Sequence, residues 1–543
     1  MKRLKKVLAG LMAAALFVSA TGCGQQKTAE TEKAHLNFGC YVYSTSFDPA
    51  HYQNAAWQSM RLGITETLFK FNDDGSIKPW IADEHKVSDD HKTWTFHIAD
   101  GVKFSNGKVC DAQAVADSLN RLFNVSVGEK YSSTPYQYLD MESITADNEK
   151  NEVTIVTKRP YADLRGSLAF PFYAIIDVEG DLTDEKHPEG YATSVIGTGP
   201  YILTSFDDVS KSGELAKNEN FWSGEVPYDT VSVTFIEDDT TKALALKNGD
   251  IDLTENITTT SDLKSLIDDP NYHVSIKNGV RTGFAYVNFD GILKNDDLRH
   301  AVFMAVDGPT LCDVTVGGIY SYGPGILPQN LVYEDDDLKD PYSYNEAGAI
   351  KILDDAGIVD TDGDGIRELD GKNIELRFVT YKNRRLSDFA EAIQLQLSKI
   401  GIGVAVNVTD SDTNWMLMQA GEYDLLNQNW TTVATGDPTN FLLNWYGDGG
   451  KNFYSESNPD ASNYCKYDNA EYNKLYEQFR SSTDEKERNQ LIVDIEQILI
   501  DDAAVLVHGY YKSSMISNKA KVSGAEISSF DYYWLSTDIK PAA

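Results

Sequence analysis

An α/β fold divided among two or three lobes is what this sequence predicts, and three observations predict it. Strand-like runs such as LNFGCYVY, TWTFHI and YILTSF alternate with helical stretches such as DAQAVADSLNRLF and LSDFAEAIQLQLSKIG, the pattern of sheet and helix in turn. The 543 residues exceed what one hydrophobic core accommodates. No stretch recurs at the period of a repeat architecture, so the lobes are not stacked copies.

The first element is an address rather than a piece of the fold. MKRLKKVLAGLMAAALFVSATGCGQQ sets Lys2, Arg3, Lys5 and Lys6 ahead of an apolar run from Val7 to Ala20, the layout of a secretory signal, expected over residues 1–22. The run is too short to persist as a membrane-spanning helix. Ala20, Thr21 and Gly22 lead into Cys23 in the manner of a bacterial lipobox, so cleavage before Cys23 and lipidation of its thiol are expected. The polar GQQKTAETEK that follows reads as a tether, which places anchor and tether at residues 23–33.

From Leu36 to about Val195 short strands alternate with turns and one clear helix, in which Asp111 caps and Ala114, Val115, Leu119 and Leu122 share a face. Strand-like YILTSF and VSVTFI follow, then TTKALALKNGDIDL, a helix closed near Gly249 by a turn into another strand. After FAYVNFDGI, one helix runs from Asn345 to Ala356 and ends at Gly357, and a second is stopped by Gly401. Each leads into a β-rich run, ELRFVTY and IGVAVNV. Two amphipathic helices fill AEYNKLYEQFRSSTDEKERNQLIVDIEQILIDDA.

With 83 acidic and 48 basic residues the chain carries −35, which repels nucleic acid and anionic lipid and keeps the surface soluble. Cys40, Cys110, Cys312 and Cys465 are far apart and form no CxxC or Cys/His cluster, so a disulfide and buried free thiols both fit and no structural zinc is expected. No GxSxG, HExxH or SxxK with its partners is present, and no GxxxxGKS/T loop could hydrolyse ATP, so a binder rather than an enzyme is expected.

Four pieces, TLFKFNDDGSIKPWIADEHKVSDDHKTWTFHIADGVKFSNGK, GTGPYILTSF, NENFWSGEVPYDTVSVTFI with LKNGDIDL, and VNFDGILKNDDLRHAVFMAVD, resemble bacterial extracellular solute-binding protein family 5 in order and spacing. These are the peptide- and nickel-type receptors of ABC importers. The resemblance implies a two-lobed, hinged, periplasmic-binding-protein-like α/β fold with an extra subdomain in the first lobe. By that division lobe I comprises 34–70, 190–285 and 509–543, the extra subdomain 71–189, and lobe II 286–508. It implies a monomeric, lipid-anchored receptor outside the cell membrane that needs no cofactor. Closure over a ligand would display a surface for a membrane permease driven by a separate ATPase, with no nucleic-acid partner.

Ligand contacts expected from the resemblance are Trp430 and Trp57 as apolar walls, Arg384 or Arg385 for a carboxylate, and His51 or Tyr52 at the entrance. Dipeptide binders carry an aspartate between the Trp and the Gly-Asp-Pro of WTTVATGDP; here that interval is Thr431 to Thr435 and holds no acid. An ammonium group buried there would lack a counter-charge, at a cost of several kcal/mol. The segment SFDPAHYQNAAW is similar to nickel-type members, which makes His51 a candidate ligand for a chelated metal and a nickel chelate the alternative to a peptide. Finally, DTDGDGIRELDG opens like a calcium loop at Asp360, Asp362 and Asp364 but has Gly371 where a bidentate glutamate is required.

Overall fold

Two long strands, Tyr272–Val287 and Val505–Asn518, run antiparallel and carry the chain between the lobes. A computed structural model describes residues 33–41, 44, 46–127, 131–180, 195–329, 331 and 338–543. The expected signal at 1–22 and the lipidation site Cys23 lie outside the described residues.

Around the crossing pair the described strands assemble one 11-stranded mixed sheet. On the first-lobe side Val505–Asn518 pairs with Leu253–Glu255, and beyond it come His35–Cys40, Thr230–Phe235, Ser212–Lys217 and Tyr201–Asp207. On the second-lobe side Tyr272–Val287 pairs with Leu425–Thr431, followed by Glu375–Tyr381 and Gly403–Thr409. The ladder between the crossing strands shifts register between Asn278 and Thr282. Gly279, Val280 and Arg281 are thereby released from pairing with Val505–Asn518, while Arg281 stays paired with Thr431 on the other side, and a break of this kind bends a strand and re-aims a side chain.

The helices form where their caps and apolar faces require. Asp111 accepts from the Ala114 N–H at the start of Ala112–Val125, whose Val115, Leu119 and Leu122 are buried. Asp239–Asn248 ends at Gly249 with φ 80°, the left-handed cap a glycine adopts without a Cβ penalty. Asn345 caps Glu346–Asp355, Leu386–Ser398 follows the Glu375–Tyr381 strand, and Ala470–Ser481 and Glu485–Asp501 are the two late helices. A separate antiparallel sheet of four strands, Ala82–Val87, Thr93–Ile98, Glu152–Thr157 and Met141–Asp147, shares a core with Ala112–Val125.

One buried cluster extends from that subdomain, at Phe96, Leu119 and Phe172, through Trp57 and Tyr532 to Phe441 and Trp445 of the second lobe. The lobes therefore meet over apolar surface. Cys40, Cys110, Cys312 and Cys465 are buried free thiols. Among the described residues no helix is long and apolar enough to cross a membrane.

Candidate functional site

Two adjoining cavities lie between the lobes. The larger of the two, about 1090 Å³, is bordered by Tyr41, Asp239 and Thr260 on one side and by Lys382, Ser387 and Asp388 on the other. The smaller one, about 460 Å³, is bordered by Trp57, Arg61, Phe235 and Arg281. Tyr41, Glu237 and Arg384 belong to both walls.

Local structure brings these side chains together. Trp57 and Arg61 lie on the helix Gln53–Arg61. Arg281 stands at the register break of the first crossing strand, opposite Thr431. Arg384 lies in the short turn Asn383–Arg385 that joins a strand to the helix Leu386–Ser398. Both Arg384 (φ 51°) and Arg385 (φ 59°) are left-handed, a conformation that costs a side-chain-bearing residue on the order of 1 kcal/mol. The turn sets the Arg384 guanidinium 5.9 Å from the Tyr41 ring and 5.4 Å from the Tyr511 ring.

The arginines differ in how well they are satisfied. Arg61, 2 % exposed, donates from Nε to the Asp531 carbonyl at 2.8 Å and pairs with the Asp531 carboxylate at 2.9 Å. Its guanidinium lies 4.2 Å from the Trp534 ring and 4.9 Å from Trp57. Arg281, 8 % exposed, is 3.8 Å from the same carboxylate, beyond hydrogen-bond reach, and 5.0 Å from the Trp57 ring. It donates from Nη1 to the Asn429 carbonyl at 3.3 Å, but its buried Nε has no partner. Burial pulls the Arg281 pKa down to about 10, with Arg384 pushing the same way and Asp531 opposing, so it stays charged at neutral pH. Burial disfavours the Asp531 carboxylate, yet Arg61, Arg281 and Arg384 outweigh it and hold its pKa below the usual range. Trp57 Nε1 and Arg384 Nε are likewise buried and unpartnered.

A receptor that closes over a solute has this architecture, and sequence comparison identifies which receptors it is akin to. The profile described as bacterial extracellular solute-binding proteins, family 5 Middle, matches residues 76–453. The chain belongs to the bacterial extracellular solute-binding proteins, family 5. The nickel-binding periplasmic protein of Escherichia coli is 26% identical over 482 residues, covering 88% of each chain. The dipeptide-binding protein DppE of Bacillus subtilis is 25% identical over 556 residues, covering 96% of each. The crystal structure of NikA from Brucella suis in complex with Fe(III)-EDTA superposes with a TM-score of 0.80 at 23% identity, covering 93% of this chain and 99% of that one. The two-lobed α/β fold expected from the sequence is the fold of this family 5 protein.

The family 5 chain distributes its expected contact residues unevenly. Trp57 borders the smaller cavity, Arg384 both cavities and Arg385 the larger one. Arg385 is engaged: its guanidinium pairs with Asp388 and donates to the Thr260 hydroxyl. Trp430 borders neither cavity. It is directed from the Leu425–Thr431 strand into an aromatic group with Phe284, Phe441 and Trp415, and Nε1 donates to Gln428 Oε1 at 3.0 Å. His51 and Tyr52 also border neither; the His51 ring lies 5.0 Å from Tyr52 and 5.6 Å from Tyr131, and the Tyr52 hydroxyl is 3.0 Å from Ser44 Oγ. Asp437 belongs to its turn, accepting from the Thr439 N–H at 2.7 Å and pairing with Arg488.

In the Asp-rich hairpin, Asp360 and Asp362 lie with Glu368 so that one carboxylate oxygen of each falls within 4.8 Å of the others. Asp364 is directed instead to Asn373, at 2.6 Å. Asp360 is exposed, and the N–H groups of Gly365 and Gly363 lower its pKa. Sequence reading missed Arg281, Arg61 and Asp531. A signal existed: each is a charge inside an apolar or aromatic run, VRTGFAYV, WQSMRLGI or FDYYW, and such charges are seldom buried unless paired.

Proposed function

We propose that this chain is the solute-binding component of an ABC importer, capturing a peptide or peptide-like solute between its lobes and delivering it to a membrane permease. The observation that carries the reading is the pair of adjoining cavities, about 1090 and 460 Å³, walled by residues of both lobes. Volumes of this size suit an organic ligand rather than a bare ion. The likeness over 96% of its length to a dipeptide-binding protein supports the peptide class. Trp57 and Arg384 are the proposed ligand contacts; Arg385, already paired across the cleft, serves closure. Lipidation at Cys23 would hold the receptor at the outer face of the membrane, and the proposed lobe limits are those drawn from the sequence.

A metal chelate is the second reading. It is favoured by the segment Thr431 to Thr435, which has no acid to receive an ammonium group, and by the likeness to a nickel-binding protein. A thermal-shift screen of the purified full chain in mild detergent separates the two, since a ligand that binds only the folded state raises the melting temperature. Mixed short peptides are expected to raise it. A rise only with nickel plus histidine or a carboxylate-rich chelator would replace the first reading by the second.

A further inference from the structure

We infer that Glu237 receives a primary ammonium group of the solute at the wall common to the two cavities. The inference rests on reading the inter-lobe cleft as the site of a peptide or peptide-like ligand, and it adds a residue and the chemical class of the group that residue selects. Four carboxylates border the cavities among the described residues: Glu237, Asp238, Asp239 and Asp388. Three of them are engaged. Asp238 accepts from the Thr241 N–H at 2.8 Å and caps the helix Asp239–Asn248. Asp239 accepts from the Thr258 N–H at 2.7 Å and pairs with Lys242 at 3.3 Å. Asp388 pairs with Arg385. The carboxylate of Glu237, the one that borders both cavities, has no hydrogen-bond or ion-pair partner among the described residues.

Topology places it there. Thr230–Phe235 runs parallel to His35–Cys40 with Phe235 beside Cys40, so Glu237 and Tyr41 emerge together just past the carboxyl ends of the two strands. Lys382 and Arg384 follow the carboxyl end of Glu375–Tyr381 in the same way and border the larger cavity from the second lobe. A crevice outside the carboxyl ends of parallel strands is where open α/β sheets hold their ligands. Cations on these walls are committed elsewhere: Arg61 pairs with Asp531, Lys211 with Asp208, Lys264 with Asp268 and Arg385 with Asp388. A single carboxylate supplies too few oxygens for a metal ion. It suits an ammonium group, whose three N–H donors form charge-assisted hydrogen bonds with it in place of water. The segment Thr431 to Thr435 carries no acid and borders neither cavity, so Glu237 supplies the counter-charge that this segment lacks. The amino terminus of a peptide and the side-chain amine of a lysine share this chemistry.

Thermal-shift titrations of the purified full chain in mild detergent test it with three pools of tripeptides: lysine-free with free amino termini, the same pool N-acetylated, and an N-acetylated pool that contains lysine. A pool that carries an amine is expected to reach its half-maximal shift in wild type at a concentration at least three-fold lower than the acetylated, lysine-free pool. That advantage should disappear in Glu237→Gln, which keeps the length of an exposed side chain and removes its charge. Glu471→Gln, on the exposed side of Ala470–Ser481, should keep it. An advantage of the free pool assigns the contact to the amino terminus, and one of the lysine pool assigns it to a side-chain amine. Equal binding of all three pools by wild type, or an advantage that persists in Glu237→Gln, overturns the inference and leaves the peptide reading standing. No shift with any pool overturns the peptide reading and this inference with it.

Discussion

Glu66 is a carboxyl group withdrawn from water, 2 % exposed, with Oε2 accepting from Thr198 Oγ1 at 2.9 Å and Trp222 Nε1 at 2.8 Å. Burial raises its pKa from 4.5 to about 7, against the opposing donation of Trp222 and Thr198. Between those values the folded chain holds a proton that the unfolded chain has released, so stability falls as pH rises through that window, by about 3 kcal/mol in total. Glu66→Gln keeps an acceptor oxygen without the charge. It should stabilise the protein by about 1–3 kcal/mol near pH 8 and by far less near pH 5, read from urea midpoints at the two pH values. An equal gain at both would show that the carboxyl does not titrate in this window. Asp531 carries the opposite sign: its lowered pKa contributes stability that is lost only as pH falls below the ordinary carboxylate range. Asp531→Asn leaves Arg61 buried without a counter-charge and should cost about 3–5 kcal/mol in equilibrium denaturation. A cost under about 1 kcal/mol would mean that stacking between Trp57 and Trp534 suffices for the guanidinium. At this scale legibility followed sequence context. Arg384 stood just before a helix and could be proposed from the family resemblance, whereas Arg281 follows the polar Lys277, Asn278 and Gly279, which interrupt the apolar pattern in the middle of a 16-residue strand.

Elements were legible where their boundaries are chemically encoded. Asp111 and Asn345 at helix starts, and Gly249 and Gly357 with φ of 80° and 73° at helix ends, mark their positions through hydrogen bonds and backbone freedom that need no tertiary partner. The crossing strands were not, because Tyr272–Val287 and Val505–Asn518 are defined by pairing across more than two hundred residues of chain and local pattern does not see such partners. The strand LLNQNWT, Leu425–Thr431, was not read from the sequence, and its orientation was not encoded in its pattern. Polar side chains occupy both faces, Asn427 and Asn429 on one and Gln428 on the other, so alternation alone could not say which way Trp430 points. It is directed away from the two cavities, and the following loop instead presses its backbone on the helix Leu164–Ser167. A Cβ built on Gly166 would lie 2.0 Å from the Thr435 carbonyl oxygen, a distance that neither backbone tolerates. Gly166→Ala should therefore cost about 1–3 kcal/mol, the usual range for overpacking, in denaturant unfolding. Unchanged stability would show that the loop at 430–437 yields without loss.

At the scale of the molecule, closure is the function-bearing event, and small polar contacts between the lobes bias it. Asn383 Nδ2 donates to the Tyr41 hydroxyl, and Arg385 donates to the Thr260 hydroxyl while its pair with Asp388 stays within its own lobe. Both contacts bridge the two sides of the larger cavity, so each favours the closed state. A hydrogen bond contributes a net stabilisation of about 1 kcal/mol, so losing two should shift the balance of open and closed forms by roughly thirty-fold. Tyr41→Phe with Thr260→Val removes the two hydroxyls and leaves shape and ion pair intact. The released residues Gly279 to Arg281 in one crossing strand give the lobes a place to bend without breaking the sheet on either side. Small-angle scattering of the double variant without added solute should therefore show a larger radius of gyration than wild type. Were the two radii equal, the buried cluster that runs from Phe96 through Trp57 to Trp445 would hold the lobes together by itself. Opening would then have to expose that apolar surface, a cost that two hydroxyls cannot tip and only solute or permease binding could offset.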